Sequence, residues 1–493
     1  MKLKTLLNFS LIIIPVSLLF LSLMQTRKTG MSYLDGYSIM LFMILILICF
    51  FLINLKFQSN IVNAYNIRLY IYIFMFFLLP FLGYFFFAKE NLPYIGHRTI
   101  DSLVVNKTLI LIIIGTVFLP LGFANSKLKR LKNDSIFRGC DTFRINYIIY
   151  IVIVMICFSL PLYRALTIPN YYTGMDTSAG DWWRRFFSFI PVTFMGTIYY
   201  LHNREHLSRK SALIIMLPII SWQIFLIFTG SRSSIVDYVI LVLTYYLVIT
   251  KKMYISKRIL LIGLIVILIA IITYPIGGAM RYYWADLYNQ GANINLYSML
   301  DYVSNSYLKS FEIMFHGIFT RLSYFDHLLF IIMGPTIDPV NHIGLLHDIK
   351  AFINTNIPGD LWPNIIDSSS TYPILYMDIP VSQIVEYHKL TMPWQVWGLV
   401  YIYFGWALMV PAFYLIGYLS GNFIKWFISV VPQKYQIYAL MWSFTIAFSI
   451  INNFGLDSFF SNIIHDIIPY LTIYPFLGLL IKKKPAVKKA VIM

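Results

Sequence analysis

Four arginines sit at the ends of long apolar runs or inside an unusual polar stripe. Arg164 and Arg281 each follow an apolar run directly. Arg232 lies in the turn Thr229-Gly230-Ser231-Arg232-Ser233-Ser234, between two such runs. Arg321 falls within a segment, 299–333, whose polar residues Asp301, Asn305, Lys309, Glu312, His316, Thr320, Ser323 and His327 recur at steps of three and four. A guanidinium keeps its charge and grips two phosphate oxygens at once. The backbone amides of a Gly-Ser turn leading into a helix add donors for the same anion. Such a set suits a phosphorylated lipid at a membrane surface. A single arginine in such a place more often snorkels to headgroups; several converging on one point are what suits a phosphate.

The step pattern predicts one long helix over 299–333, with its polar residues on one face and Leu, Ile, Phe, Met and Tyr over most of the rest. That face either lines a substrate cavity or meets water at the membrane interface. Glu312, His316, Asp326 and His327 stand near Arg321 on this helix and are candidates for taking a proton from a reacting hydroxyl. Seven of the nine histidines (His97, His316, His327, His342, His347, His388 and His465) fall on or near the side that carries these arginines. None forms a His-Glu-x-x-His pattern, so a zinc site is not expected. Of the three cysteines, Cys49 and Cys157 lie in apolar runs and Cys140 in a basic stretch, which is not a disulfide framework.

Composition says what mounts these residues. The chain is 59% hydrophobic and only 12% charged, with a mean hydropathy of +0.72. Soluble domains carry about 25% charged residues. A bilayer core of about 30 Å takes roughly 20 apolar residues as a helix, and lipid offers no partner for unpaired backbone groups. The apolar runs predict an all-α, polytopic membrane protein with twelve spans near 6–24, 38–55, 69–88, 108–124, 146–163, 187–202, 211–229, 234–250, 259–276, 397–418, 435–451 and 462–481. The first is taken as a retained helix rather than a cleaved signal.

Charge orients the spans. On one side fall Lys2 and Lys4, Lys56 and Arg68, the cluster from Lys127 to Arg144, Arg204 to Lys210, Lys251 to Arg258, Lys425 and Lys434, and the tail from Lys482 to Lys489. Together these are 24 of the 38 basic residues. Short loops rich in Lys and Arg stay cytoplasmic, so both termini are cytoplasmic and the net charge of +17 needs no nucleic acid to explain it. Residues 1–493 then form a single polytopic membrane domain, with one large outer loop, 277–395, between spans nine and ten. A smaller outer loop covers 164–186. Long loops of this kind are often functional. The two echo each other: Arg164 precedes Gly174, and Arg281 precedes Gly291, with nine residues between in each case and paired tyrosines in each stretch.

Several stretches resemble the bacterial O-antigen (Wzy-type) polysaccharide polymerase family. The turn around Arg232 resembles that family's Gly-Ser/Thr-Arg turn. Arg321 in Phe319-Thr320-Arg321-Leu322-Ser323 resembles an arginine of its large outer loop, and Pro358-Gly359-Asp360-Leu361-Trp362-Pro363 is similar to its Pro-x-x-Leu-Trp-Pro stretch. Tyr403-Phe404-Gly405-Trp406 resembles the Phe-Gly element. Gly455-Leu456-Asp457-Ser458-Phe459 resembles the turn before the last span in the enterobacterial common antigen branch. The likeness covers about residues 145–480. The family's Arg-to-Gly spacing is one residue longer than here, and an arginine often found before the last-span turn is replaced by Asn452-Asn453-Phe454.

The resemblance implies a GT-C-like fold related to that of O-antigen ligases. It also implies a metal-independent membrane glycosyltransferase without a cofactor, in the bacterial inner membrane. Such proteins join oligosaccharide repeat units, each carried on undecaprenyl pyrophosphate, at the periplasmic face, and work with a chain-length regulator protein. Arg164, Arg232, Arg281 and Arg321 are then the candidates for holding pyrophosphate, and Glu312, His316, Asp326 and His327 for the base. A flippase for lipid-linked oligosaccharide is the main alternative, though such transporters often show repeat symmetry, which the two halves here lack. A polyprenyl-phosphate-sugar glycosyltransferase would place acidic catalytic residues in the first outer loop, 25–37, which holds only Asp35.

Overall fold

The computed structural model describes residues 35–54, 60–78, 101–130, 147–167, 189–203, 205–228, 241–248, 275–276, 279–280, 283, 297–308, 324–334, 345–356, 361–362, 395–432, 435–449 and 451. Every regular element among the described residues is helical. In chain order the labelled helices are α1 (Gly36–Asn54), α2 (Asn60–Ile73), α3 (Ser102–Asn125), α4 (Tyr147–Thr167), α5 (Phe189–Asn203), α6 (Arg209–Phe228), α7 (Tyr324–Met333), α8 (Leu345–Asn356), α9 (Gln395–Val430) and α10 (Gln436–Ser449). A π-helical turn, Phe74–Leu78, extends α2. Residues 241–248 and 297–308 are also helical.

Among the described residues, four helices are long and apolar enough to cross a membrane: Gly36–Asn54, Asn60–Leu78, Ser102–Asn125 and Gln395–Val430. Their surfaces fit lipid. Leu408, Leu415, Leu419, Trp426 and Val430 are exposed along one side of α9, over a length of about 33 Å at helical rise. On α6 the exposed residues Leu213, Leu217, Ile220 and Ile224 repeat the same spacing. Continuous apolar stripes of this length are not left to water. Hydroxyls within the helices are satisfied locally: Thr108, Thr116, Thr197 and Ser420 each donate to the carbonyl four residues back. Where water is excluded, each such group needs that bond.

Six expected segments coincide with helices α1, α3, α4, α5, α6 and α10, with ends within four residues except that α3 starts six residues early, and 234–250 holds the helix at 241–248. The spans at 6–24 and 462–481 lie outside the described residues, as does all but the end of 259–276. Two boundaries differ. The helix expected from residue 69 starts at Asn60, so Arg68 lies within α2 instead of in a loop. Arg68 is accepted there because its guanidinium sits 4.1 Å over the Phe448 ring and donates to the Phe444 carbonyl at 3.4 Å, both on α10. The span expected at 397–418 is instead a broken helix reaching Val430, which places Lys425 on the helix.

Among the described residues the packing falls into two large apolar groups and a small one of Met280, Tyr283 and Met299. One large group joins α1, α2, the π turn, α3, α7 and α9; the other joins α4, α5 and α6. Both draw residues from α10, from the end of α9 and from the helix at 241–248. The tightest seam runs between α3 and α9. A methyl group on Gly122 would strike the Tyr414 carbonyl oxygen, one on Gly417 the Leu119 carbonyl oxygen, and one on Gly421 the Ser126 hydroxyl. From Leu119 against Gly417 to Ser126 against Gly421 and Lys127 against Asn422, the contacts advance along both chains, so the two helices run parallel. Gly417 and Gly421 form a small-xxx-small pair of the kind that lets membrane helices touch backbone to backbone.

The starts of α1 and α3 meet at one end of this bundle. Asp35 caps α1, accepting from the Ser38 N–H at 2.7 Å, and Asp101 caps α3, accepting from the Val104 N–H at 2.8 Å. The Asn106 amide donates to both Asp35 oxygens, at 3.1 and 3.3 Å, and the buried Ser38 hydroxyl lies 2.6 Å from Asn106 Oδ1. Foremost the Ser38 N–H holds the Asp35 carboxylate below its ordinary value of 3.8. Desolvation opposes this, and the Ser38, Asn106 and Ser102 side chains assist. A depressed carboxylate contributes stability above its unfolded value and loses it as the pH falls through that value toward the folded one. Thermal unfolding of the purified protein is therefore expected to shift down as the pH falls past 3.8, and to shift less in Asp35→Asn.

Candidate active site

Helix α9 breaks at Gly405, whose φ of 58° and ψ of −166° belong to glycine alone. Residues 16 apart in a straight helix would be about 24 Å apart. Here the Trp397 and Phe413 rings are 6.4 Å apart, so the first arm, 395–404, folds back along the second, 406–430. Gly115, midway along α3, lies against the Trp397 indole. Tyr72 stacks on Trp397 at 6.0 Å and Phe77 meets it edge-on at 4.9 Å. The first arm therefore begins deep in the bundle and rises to Gly405, toward the end where α1 and α3 start. Its own start is strained. Gln395 is wholly buried at φ 55°, and its side-chain amide has no hydrogen-bond partner among the described residues.

Two helices of the long 277–395 segment dock on this arm. Helix α7 packs Leu328 and Ile331 against Gly398, where a larger residue would have to displace the end of the Ile331 side chain. Five of its residues (Phe325, Leu328, Leu329, Phe330 and Ile331) are buried in the same core as α3, so α7 inserts among the spans. Helix α8 docks by a polar contact. Asp348, only 4% exposed, accepts from the Tyr403 hydroxyl, two residues before the break. His347 Nδ1 lies 3.5 Å from the other Asp348 oxygen. Further along α8, Asn354 Nδ2 donates to the Trp362 carbonyl at 2.6 Å, and the Trp362 N–H donates to Asn354 Oδ1 at 3.0 Å. Lys350 Nζ stands 5.9 Å from the Trp362 ring centre.

Of the residues singled out in the sequence, His327 is half-buried on α7. Asp326 precedes it on α7 and Arg164 lies on α4, both within helices whose course is described without those side chains. Arg232, Arg281, Arg321, Glu312 and His316 lie outside the described residues. So does the middle of the helix expected over 299–333, which is described at 297–308 and 324–333; Asp301 and Asn305 are exposed there.

Sequence reasoning passed over Asp348, Tyr403 and Asn354 as a group. Asp348 and Asn354 are six residues apart on α8, and Tyr403 is far along the chain, so no local spacing links them. One signal was present: Asp348 is an acidic residue in a chain with few of them, beside a histidine. Asp35, the acidic residue of the 25–37 stretch, serves as a helix cap. No family model, curated protein or solved structure matches the chain.

Proposed function

We propose that this protein is a polysaccharide polymerase of the bacterial inner membrane, with twelve spans, both termini cytoplasmic and its active face periplasmic. It transfers a growing chain from undecaprenyl pyrophosphate to a hydroxyl of a fresh lipid-linked repeat unit, building O-antigen or capsule. One observation supports this reading above the others. Two of the stretches that carry the family likeness, Pro358-Gly359-Asp360-Leu361-Trp362-Pro363 and Tyr403-Phe404-Gly405-Trp406, are far apart in sequence yet are tied to opposite ends of the same short helix, α8, by Asn354 and Asp348. A GT-C-like arrangement, with an outer-loop helix seated on the membrane helices, fits that tie.

The leaving group is a lipid pyrophosphate, and fixed positive charge stabilises what develops on it in the transition state. Arg164, Arg232, Arg281 and Arg321 are the candidates for that charge. Glu312, His316, Asp326 and His327 remain candidates for handling the acceptor proton. A chain-length regulator is the expected protein partner.

A flippase is the second reading, and the broken helix α9 favours it, since transporters often use discontinuous helices. Deleting the gene separates the two. Surface polysaccharide run on a gel should collapse from a ladder to single repeat units. Loss of all surface polysaccharide, with lipid-linked units retained inside, would instead establish the flippase.

A further inference from the structure

Helix α8 carries more polar chemistry than docking requires. His347, Lys350 and Asn354 follow at steps of three and four and share one face. Trp362 is pinned onto that face by the paired Asn354 hydrogen bonds, with Lys350 beside its ring. The four side chains are partly exposed, and Leu346, Ile349 and Leu361 around them are open. Asp348 turns the other way, into the protein. It is held on one oxygen by the Tyr403 hydroxyl and faces His347 Nδ1 with the other. A buried carboxylate at Nδ1 favours the tautomer with its hydrogen there, which leaves Nε2 as the basic nitrogen. One face thus presents a base, an aromatic ring and a cation together.

We infer that this face is the acceptor subsite of the transferase, and that it binds the sugar of the incoming lipid-linked unit. This rests on the polymerase reading. Trp362 offers its ring to the apolar side of a pyranose, and Lys350 donates to sugar hydroxyls. His347, in place of the four candidates read from the sequence, receives the proton of the attacking hydroxyl. In that step the hydroxyl oxygen bonds to the anomeric carbon of the growing chain. The bond from that carbon to the pyrophosphate oxygen breaks, and its electron pair leaves on the lipid pyrophosphate. The hydroxyl proton goes to His347 Nε2. Asp348 and Tyr403 are positioning residues, holding the imidazole through Nδ1.

The test uses membranes containing the full-length protein, supplied with lipid-linked repeat units extracted from a strain that lacks the gene. Chain extension is measured against unit concentration, and protein level is followed by immunoblot. His347→Gln should lower kcat by about 10²–10⁴-fold with KM little changed. Asp348→Asn should also act on kcat, with partial recovery in Asp348→Glu. Trp362→Ala should raise KM roughly tenfold, and Trp362→Phe should restore it. Wild-type kcat in His347→Gln at normal protein level, or a Trp362→Ala effect confined to kcat, overturns the subsite while leaving the polymerase in place. Failure of wild-type membranes to extend any chain, with the ladder intact in the deletion strain, overturns the polymerase reading and the subsite with it.

Discussion

Gly417→Leu should leave no folded protein in the membrane. The reason is geometric. Gly417 lies against the carbonyl oxygen of Leu119 and the backbone nitrogen of Phe123, and Gly122 on the partner helix lies against the carbonyl oxygen of Tyr414. These are backbone atoms inside helices, so they cannot swing aside as the end of a flexible side chain would. Even alanine would have to push α3 and α9 apart, at a cost of about 1–3 kcal/mol as an overpacked core position. Leucine would separate the helices along the whole seam. In a membrane that seam gains little from hydrophobic burial, because lipid tails solvate apolar faces as well as another helix does; close packing is what holds it. Separation would also remove the hydrogen bond from the Lys127 N–H to Asn422 Oδ1, at 3.0 Å. The check is the amount of monodisperse protein after detergent extraction. Leu419→Ala, on the exposed side of the same helix, should extract at wild-type levels. Equal yield from Gly417→Leu and Leu419→Ala would mean that the seam does not hold the bundle together.

The helices were legible because a membrane span is written in composition. An uncharged run such as Gly36–Asn54 has one stable outcome in lipid, and its length fixes its role. The first half of α2, Asn60 to Arg68, was not legible. Asn63, Asn66 and Arg68 make the stretch look like a loop, and the Phe448 ring and Phe444 carbonyl that make arginine acceptable there lie nearly 400 residues on. The break in α9 was half legible. Gly405 was singled out as part of a motif, but Trp397 to Tyr418 has the composition of an uninterrupted span. Hydropathy does not distinguish a helix that crosses from one that turns back. The fold-back depends on Gly115 and Gly398 leaving room for Trp397 and Ile331, and those glycines are distant in sequence. The same limit applies to the site. Charges at span ends can be counted from sequence, whereas Asp348 meeting Tyr403 is a tertiary contact between elements that share no periodicity.

Arg232→Ala and Arg321→Ala should each abolish polymerisation while the protein accumulates normally. The proposed reaction expels a pyrophosphate, so negative charge grows on the bridging oxygen as the glycosidic bond breaks. A guanidinium fixed near that oxygen interacts more strongly with the transition state than with the bound substrate, and only such a difference speeds the chemical step. Removing one pre-positioned donor to developing charge typically costs about 10²–10³ in kcat. Because a ladder reports many successive transfers, a loss of that size at each step should reduce the gel pattern to single repeat units. Arg→Lys is a sharper probe than Arg→Ala. Lysine keeps the charge but presents a point donor in place of the planar fork, so a bidentate grip on phosphate should be largely lost while simple attraction to headgroups survives. An arginine that merely snorkels would therefore tolerate lysine, and short chains would persist. A pyrophosphate ligand would not, and Arg232→Lys would resemble Arg232→Ala. Full ladders from both lysine variants and both alanine variants would sink the phosphate-binding role. Single units from alanine with full ladders from lysine would reduce that role to charge alone.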